Sequence, residues 1–296
     1  DRIRIRGSYA LAVMFKEYPE EIFVARKDSP MIIGVANGES YIASDVPAIL
    51  KYARKVYYIG NMEIGHLQKG KVTFYNLDGD EIKKDLVEIK WDAEAAEKAG
   101  FEHFMMKEIH EQPKAVQDTI HSVLREDEKT KKKYIDLSEV GLTDKDIKNI
   151  SQIYIVACGS AYHVGVAAQY VIEDLARIPV RVELASEFRY RKPILDKDGL
   201  VIIVSQSGET ADSLAALREA KALGIKTLAI VNVVGSSIAR EADNVFYTLA
   251  GPEIAVATTK AYSTQLIASY CLAIQFGKVR GELKSDASVS YTHLRA

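Results

Sequence analysis

The stretch GLVIIVSQSGETADSLAALREAKALG, residues 199–224, determines the fold class of this chain. The run LVIIVS is typical of a strand buried on both faces, and ADSLAALREAKALG has the spacing of an amphipathic helix. The loop between them, SQSGET, spans Ser205 to Thr210 and contains hydroxyl groups, an amide and one Gly, but no Lys. A buried strand, a short loop and a helix in this order predict one βα unit of an α/β domain.

The same alternation extends on both sides of this unit from about residue 144. The strand patterns IYIVA, VRVELA, KTLAIVN and NVFYTL alternate with helical ones, the longest being AYHVGVAAQYVIEDLARI and a final helix from about Thr259; SSIAREA predicts only a turn. Apolar strands separated by amphipathic helices predict a doubly wound α/β domain with a mostly parallel sheet. Ligands of such domains bind beyond the carboxyl ends of the strands.

Residues 1 to about 90 have a different character and predict a β-rich layer. SYALAVMF, EIFVAR, MIIGVA and SYIAS are short apolar or alternating runs separated by Gly, Pro, Asn and Ser. VPAILKYARK predicts a short helix, and KVTFYNLDGDEIKKDLVEI predicts a hairpin with Asp78 and Gly79 at its turn. From Trp91 the pattern is helical, and the polar run REDEKTKKKY, residues 125–134, predicts a solvated linker face.

Composition narrows the class of protein. A net charge of −2 and a hydrophobic content of 48% argue for a globular chain and against a nucleic-acid binder. Cys158 and Cys271 form no CxxC pair and suit a reducing cytoplasm, and no His spacing predicts a metal or another cofactor. No apolar run predicts a membrane span. The opening DRIRIRG already alternates like a strand and the polar end SDASVSYTHLRA trails a helix, so we expect a piece of a longer protein.

Three loops rich in hydroxyl groups and Gly lie at predicted strand ends or border the last helix: ACGSAYH (157–163), SQSGET (205–210) and GPEIAVATTK (251–260). Helix N-termini offer unpaired backbone N–H groups, and hydroxyls add neutral donors, which suits a phosphate held without Lys or metal. Helix N-capping alone explains Ser or Thr in any one such loop. Three of them at one sheet edge favour a phosphate site, and the absence of GxxxxGK[ST] and GxGxxG patterns argues against a nucleotide.

Other candidate groups have competing interpretations. Cys158 is a possible nucleophile, but a Cys at a strand end beside Gly is more typical of buried packing. Lys260 follows the third loop, where surface or capping duty is expected. Glu209 fits a general acid or base, and it fits equally a carboxylate that stabilises a helix N-terminus.

Several motifs resemble those of one family. ACGSAYHVG, ASEFRYR, SQSGETADSLAALREAK and EIAVATTKAYSTQL resemble the first sugar isomerase (SIS) domain of the glutamine–fructose-6-phosphate aminotransferase family, and FMMKEIHEQPKAVQDTI resembles its interdomain segment. RGSYALAVM and GESYIASD resemble the C-terminal part of its glutaminase domain. The resemblance implies an α+β remnant of an Ntn-type glutaminase (1–92), a helical linker (93–143), a flavodoxin-like first SIS domain (144–283) and a truncated tail (284–296).

The resemblance also implies a function. The full-length enzyme takes ammonia from glutamine, converts fructose 6-phosphate to glucosamine 6-phosphate in hexosamine biosynthesis, and works as a homodimer. The sugar-phosphate contacts implied here are Ser160, Ser205, Gln206, Ser207, Thr210, Val256 and Thr258. Ala161 stands where a second hydroxyl is common, and Thr258 where Ser is usual. No catalytic residue matches, because the glutaminase Cys and the isomerase Glu, His and Lys belong to other parts of the family sequence, so we expect this polypeptide alone to be inactive.

Two other functions remain open on the sequence. One is an SIS-domain sensor that binds a sugar phosphate and regulates a partner, and the other is an SIS isomerase or deglycase without a glutaminase. A sensor that regulates DNA needs a basic helix-turn-helix, whereas this chain begins β-rich and is slightly acidic. The β-rich start and the KEIHEQP segment (107–113) also count against a lone isomerase.

Overall fold

The computed structural model describes residues 5, 7–89 and 98–283 of the chain. The chain divides into two units, and the first, residues 1–99, contains short strands. The elements of this unit are β1 (Tyr9–Phe15), β2 (Tyr18–Lys27), β3 (Ile32–Ala36), β4 (Glu39–Ala43), α1 (Val46–Ile49), β5 (Lys55–Tyr58), β6 (Ile64–Gln68), β7 (Lys71–Tyr75), β8 (Glu81–Ile82) and β9 (Val87–Glu88). They form two antiparallel sheets, in the orders β1-β2-β6-β7-β8 and β4-β3-β5-β9. These two sheets confirm the β-rich prediction. Apolar side chains from both sheets form one core, which contains Val24, Met31, Ile33, Ile59, Leu67 and Phe74.

Two local predictions in this unit need correction. The helix predicted over VPAILKYARK is only the single turn α1, because Lys55 already begins β5, and Val56 is fully buried where β5 pairs with β3. The β7–β8 hairpin is present, but its turn is not a two-residue one. Asn76 closes a longer loop by accepting hydrogen bonds from the N–H groups of Asp78 and Asp80, at 2.9 Å each.

The second unit, residues 100–296, has the alternation that the sequence predicts. Its elements are α2 (Phe104–Val123), β10 (Leu124–Glu126), β11 (Lys133–Ile135), a 3-10 turn (Ser138–Val140), α3 (Asp144–Asn149), β12 (Ile153–Ala157), α4 (Gly159–Ala176), β13 (Val180–Leu184), α5 (Ala185–Tyr190), β14 (Leu200–Ser205), α6 (Ala211–Ala222), β15 (Lys226–Val231), α7 (Ser237–Glu241), β16 (Asn244–Tyr247) and α8 (Lys260–Arg280). The order β13-β12-β14-β15-β16 is parallel throughout. This is the flavodoxin-like order, whose switch point lies between β12 and β14.

Helices cover both faces of this sheet. On one face α4 and α8 pack together, and a side chain at Gly277 would meet the carbonyl oxygen of Leu175 at 2.3 Å, so Gly permits this close approach. On the other face α5, α6 and α7 cover a second apolar layer that includes Phe188 and Leu217. The doubly wound prediction is therefore confirmed. Every helix among the described residues is too short or too polar to span a lipid bilayer.

Two segments have more structure than their sequence patterns indicate. Residues 124–135 form the antiparallel β10–β11 hairpin. The polar run is solvated as predicted, since residues 126–133 are exposed, and Ile135 directly after it is buried in the main core. SSIAREA forms helix α7 instead of a turn. Helix α2, which precedes the hairpin, packs along α8.

Candidate functional site

The SQSGET loop leaves β14 at the switch point and has an ordered set of internal hydrogen bonds. The Ser205 hydroxyl, only 3% exposed, lies 2.9 Å from the Thr210 hydroxyl and accepts from the N–H of Gly208 at 3.1 Å. The Ser207 hydroxyl accepts from the N–H of Glu209 at 3.1 Å. The loop is therefore an ordered turn in which the Ser205 and Thr210 hydroxyls lie together.

Helix capping does not explain these hydroxyls. Thr210 is the N-cap residue of α6, yet its side chain makes no capping hydrogen bond and instead lies against Ser205. Cys158, the N-cap residue of α4, and Thr259, the N-cap residue of α8, also make no side-chain cap. The first-turn N–H groups of these helices have no intrahelical acceptors. The N-termini of α4 and α6 therefore offer N–H donors that suit an anion, whereas the N-terminus of α8 is capped by a carboxylate, as described below.

The first residues of helix α7 donate backbone hydrogen bonds to the SQSGET loop. Gly208 has φ +65°, its carbonyl oxygen accepts from the N–H of Ile238 at 3.0 Å, and Glu209 Oε1 accepts from the N–H of Ser237 at 2.7 Å. Of the two interpretations of Glu209, the structure favours the one at a helix N-terminus, although the helix is α7 and not α6. Glu209 therefore anchors the loop.

One cavity of about 270 Å³, which we call the switch-point cavity, brings the three loops together. It is lined by Cys158, Ser160, Ala161, Val204, Ser205, Gln206, Ser207, Thr210, Val256, Ala257, Thr258 and Gln265. All seven residues predicted to contact a sugar phosphate are in this set, and their contact with a ligand stays a prediction. Ala161 also lines the cavity, so the position that lacks the second hydroxyl faces the same space.

The lining of the switch-point cavity has no formal charge. Its described residues include no Asp, Glu, His, Lys or Arg. Cys158 lines the cavity and is half-buried, and it packs against the apolar layer under α5, α6 and α7, so its packing role is present although its burial is partial. Cys271 is fully buried, and burial raises the pKa of its thiol to about 12. Among the described residues no group of three or more His, Cys, Asp or Glu side chains is arranged to hold a metal ion.

The third loop, residues 251–260, is organised by a carboxylate that the sequence analysis did not select. Glu253 Oε1 accepts from the N–H groups of Thr259 at 2.8 Å and Ala261 at 3.1 Å, and Glu253 Oε2 accepts from the Thr258 hydroxyl at 2.9 Å. Glu253 therefore performs the capping of α8 that Thr259 does not, and it orients Thr258 at the cavity. The Val256 side chain is fully exposed at the rim.

Lys260 does not have the surface position expected for it. It is 2% exposed, and its ammonium group lies 2.6 Å from Glu111 Oε2 on α2. Glu108 on the same helix is 1% exposed and accepts hydrogen bonds from the third loop. The only signal of these contacts in the sequence is the charged KEIHEQP segment, whose pattern predicts a helix but not its partner.

The fold and the cavity together define the class of this protein. Residues 146–275 match the family model described as the SIS domain. The solved C-terminal domain of glucosamine-fructose-6-phosphate aminotransferase from Francisella tularensis is similar to this chain at a TM-score of 0.61 and 40% identity, over 66% of this chain and 53% of that one. Residues 146–275 of the second unit thus form an SIS domain.

Curated relatives extend the similarity to nearly the whole chain. The glutamine–fructose-6-phosphate aminotransferase of Caldanaerobacter subterraneus is 55% identical over 286 residues, which are 97% of this chain and 46% of that protein. The enzyme of the same name from Clostridium acetobutylicum is 53% identical over 96% of this chain and 46% of its own length. The chain therefore belongs to the glutamine–fructose-6-phosphate aminotransferase family and spans about half the length of these relatives.

Proposed function

We propose that this chain binds a sugar phosphate in the switch-point cavity. The observation that supports this is a neutral cavity lined by hydroxyl groups at the N-termini of α4 and α6. Backbone N–H groups and hydroxyls bind a phosphate dianion without a cation, and the helix dipoles favour its charge. Ser205, Ser207 and Thr210 hold the phosphate, with Ser160 and Gln206 beside it, whereas Val256 and Thr258 border the sugar.

The sugar phosphate in this proposal is fructose 6-phosphate, and glucosamine 6-phosphate is the product that occupies the same site. The relatives named for this aminotransferase reaction support the choice, because they match 96–97% of the chain at 53–55% identity. Glutamine as the ammonia source, a homodimer and a cytoplasmic location are parts of the same proposal and concern the complete enzyme. The chain described here contributes the sugar-phosphate cavity.

Calorimetric titration of the 296-residue chain tests the proposal. We expect binding of fructose 6-phosphate and glucosamine 6-phosphate and none of unphosphorylated fructose. Ser205→Ala and Ser207→Ala each remove a donor to a charged group, so each is expected to weaken binding about tenfold or more. Ser138→Ala, which changes an exposed Ser outside the cavity lining, is the matched control and is expected to bind like the parent.

Two results would contradict the phosphate cradle. One is equal affinity for fructose and fructose 6-phosphate, which would mean that the phosphate is not recognised. The other is unchanged affinity in both Ser205→Ala and Ser207→Ala while their melting temperatures stay at the parent value.

A further inference from the structure

A side chain of helix α2 binds the backbone of the 251–260 loop by hydrogen bonds, and it does not line the switch-point cavity. Glu108 Oε1 accepts hydrogen bonds from the N–H groups of Ile254 at 2.6 Å and Ala255 at 3.1 Å. Glu108 is 1% exposed, so these hydrogen bonds are shielded from water, which strengthens them. The two N–H groups immediately precede Val256, which is at the cavity rim.

A second contact between α2 and the loop lies one helical turn further along. Glu111 bridges two Lys ammonium groups, that of Lys260 at 2.6 Å and that of Lys107 at 3.4 Å. Gln112 accepts from the Ser263 hydroxyl at 2.5 Å in the first turn of α8. The end of the loop and the start of α8 are therefore attached to the same helix face as its middle.

Between these attachments lie residues 256–258, which line the cavity. The position of their backbone is set by Glu108 on one side and by Lys260 and the Glu253 cap on the other. None of the three anchoring side chains is among the residues that line the cavity. An anchor that fixes a loop without touching the ligand controls how well the loop is preorganised for binding.

We propose that Glu108 is a positioning residue for sugar recognition: it holds the 251–260 loop so that Val256 and Thr258 meet the sugar ring. The proposal rests on the sugar-phosphate function proposed above. It assigns the KEIHEQP segment the role of a clamp on the sugar side of the cavity. The phosphate side, formed by the SQSGET loop, is held by α7 at Gly208 and Glu209. Asn232 connects it to the start of the 251–260 loop, because its N–H donates to the Gln206 carbonyl and its side-chain amide donates to the Gly251 carbonyl.

The test compares Glu108→Ala, Glu108→Gln and Asp118→Ala in the 296-residue chain. The first substitution leaves two amides without their acceptor, whereas Gln keeps an oxygen acceptor. Asp118 is a more exposed acid on α2 that pairs with Lys114, so its substitution controls for loss of a carboxylate on this helix. The ligands are fructose 6-phosphate and glycerol 3-phosphate, which has a phosphate but no sugar ring.

We expect Glu108→Ala to weaken fructose 6-phosphate binding about tenfold, because two partly buried N–H groups lose their acceptor, while glycerol 3-phosphate binding changes less than about twofold. Glu108→Gln is expected to restore most of the affinity, and Asp118→Ala to leave it unchanged. Without ligand, hydrogen–deuterium exchange of the 251–260 segment is expected to accelerate in Glu108→Ala alone, because the two amides lose their acceptor.

The outcomes separate this proposal from the function on which it rests. Equal loss of affinity for both phosphates in Glu108→Ala, or no rescue by Glu108→Gln, would reduce Glu108 to a general stabilising residue and overturn the proposal. Exchange of residues 251–260 that is unchanged in Glu108→Ala would overturn the clamp itself. Failure of the parent chain to bind fructose 6-phosphate would refute the proposed function. Accelerated exchange of residues 251–260 in Glu108→Ala would then show that Glu108 orders the loop, but its role in sugar recognition would be overturned.

Discussion

Gly208 is the residue on which the shape of the SQSGET loop depends most directly. Its φ of +65° is costly for any residue with a Cβ, and a Cβ built there would lie 2.0 Å from the buried hydroxyl of Ser236. We expect Gly208→Ala to destabilise the second unit by about 2–4 kcal/mol, from backbone strain plus overpacking, and to abolish sugar-phosphate binding. Chemical denaturation and calorimetric titration measure the two effects.

Gly224→Ala is the matched control for this substitution. Gly224 also has a positive φ, +74°, but its added Cβ would meet nothing within 4 Å. We expect only the strain, about 1–2 kcal/mol, and unchanged binding. Equal destabilisation by the two substitutions would show that Ser236 yields easily and that contact with α7 does not shape the loop.

Individual residues of the site were predictable to different degrees. Ser205, Ser207 and Thr210 share a loop with a recognisable local pattern, and the parallel sheet brings that loop to the same edge as Ser160. Lys260 was assigned wrongly, because its partner Glu111 lies 149 residues away. Local sequence indicates that a charge is present but not whether another element will bury and pair it.

At the scale of single elements, an ion pair connects helix α3 to strand β15, and the pKa of its carboxyl group is shifted. Asp146 pairs with Lys226 at the start of β15, and its carboxylate also accepts from the hydroxyl of Thr143 at 2.7 Å and from its N–H at 3.0 Å. The Lys226 contact, followed by these hydrogen bonds, lowers the pKa of Asp146 from 3.8 to about 2. A carboxyl group whose pKa is lower in the folded chain stabilises the fold only while it is ionised.

We therefore expect Asp146→Asn to cost about 1 kcal/mol of unfolding free energy near pH 7, a value reduced by solvent screening of the half-exposed pair. The parent's advantage is fully present above pH 4 and fades as the pH falls from about 4 to about 2, through the folded-state pKa. Urea unfolding followed by helical circular dichroism measures it. Asp144→Asn, in the same helix turn, is the control. A pH-independent difference between parent and Asp146→Asn would contradict the assigned ion pair.

Elements differ in how far the sequence predicted them. The buried strands of the parallel sheet are predictable because each is covered by helices on both faces, so its sequence is a continuous apolar run. Strand β5 was missed, since KVYY becomes a strand only by pairing with β3, and α7 was missed because five residues give too little periodicity. The sequence of the β10–β11 hairpin is typical of a polar linker because residues 126–133 are exposed. Its buried residue, Ile135, lies just after the polar run.

At the scale of the whole molecule, the described residues that line the switch-point cavity include no group suited to acid–base catalysis. The described lining contains no carboxylate, imidazole or amine, whereas isomerisation and amination of a sugar require proton transfers by positioned groups. The chain also spans 46% of the length of its Caldanaerobacter relative, so this relative has other residues to supply those groups.

We therefore expect the 296-residue chain to bind fructose 6-phosphate without converting it. Incubation with fructose 6-phosphate and glutamine, followed by chromatographic detection of glucosamine 6-phosphate, is expected to give no product above the protein-free background. The full-length Caldanaerobacter enzyme serves as the positive control for the assay. Product that increases in proportion to this chain and disappears in Ser205→Ala would contradict the prediction, because it would mean that the neutral cavity itself, or residues moving into it, performs the proton transfers.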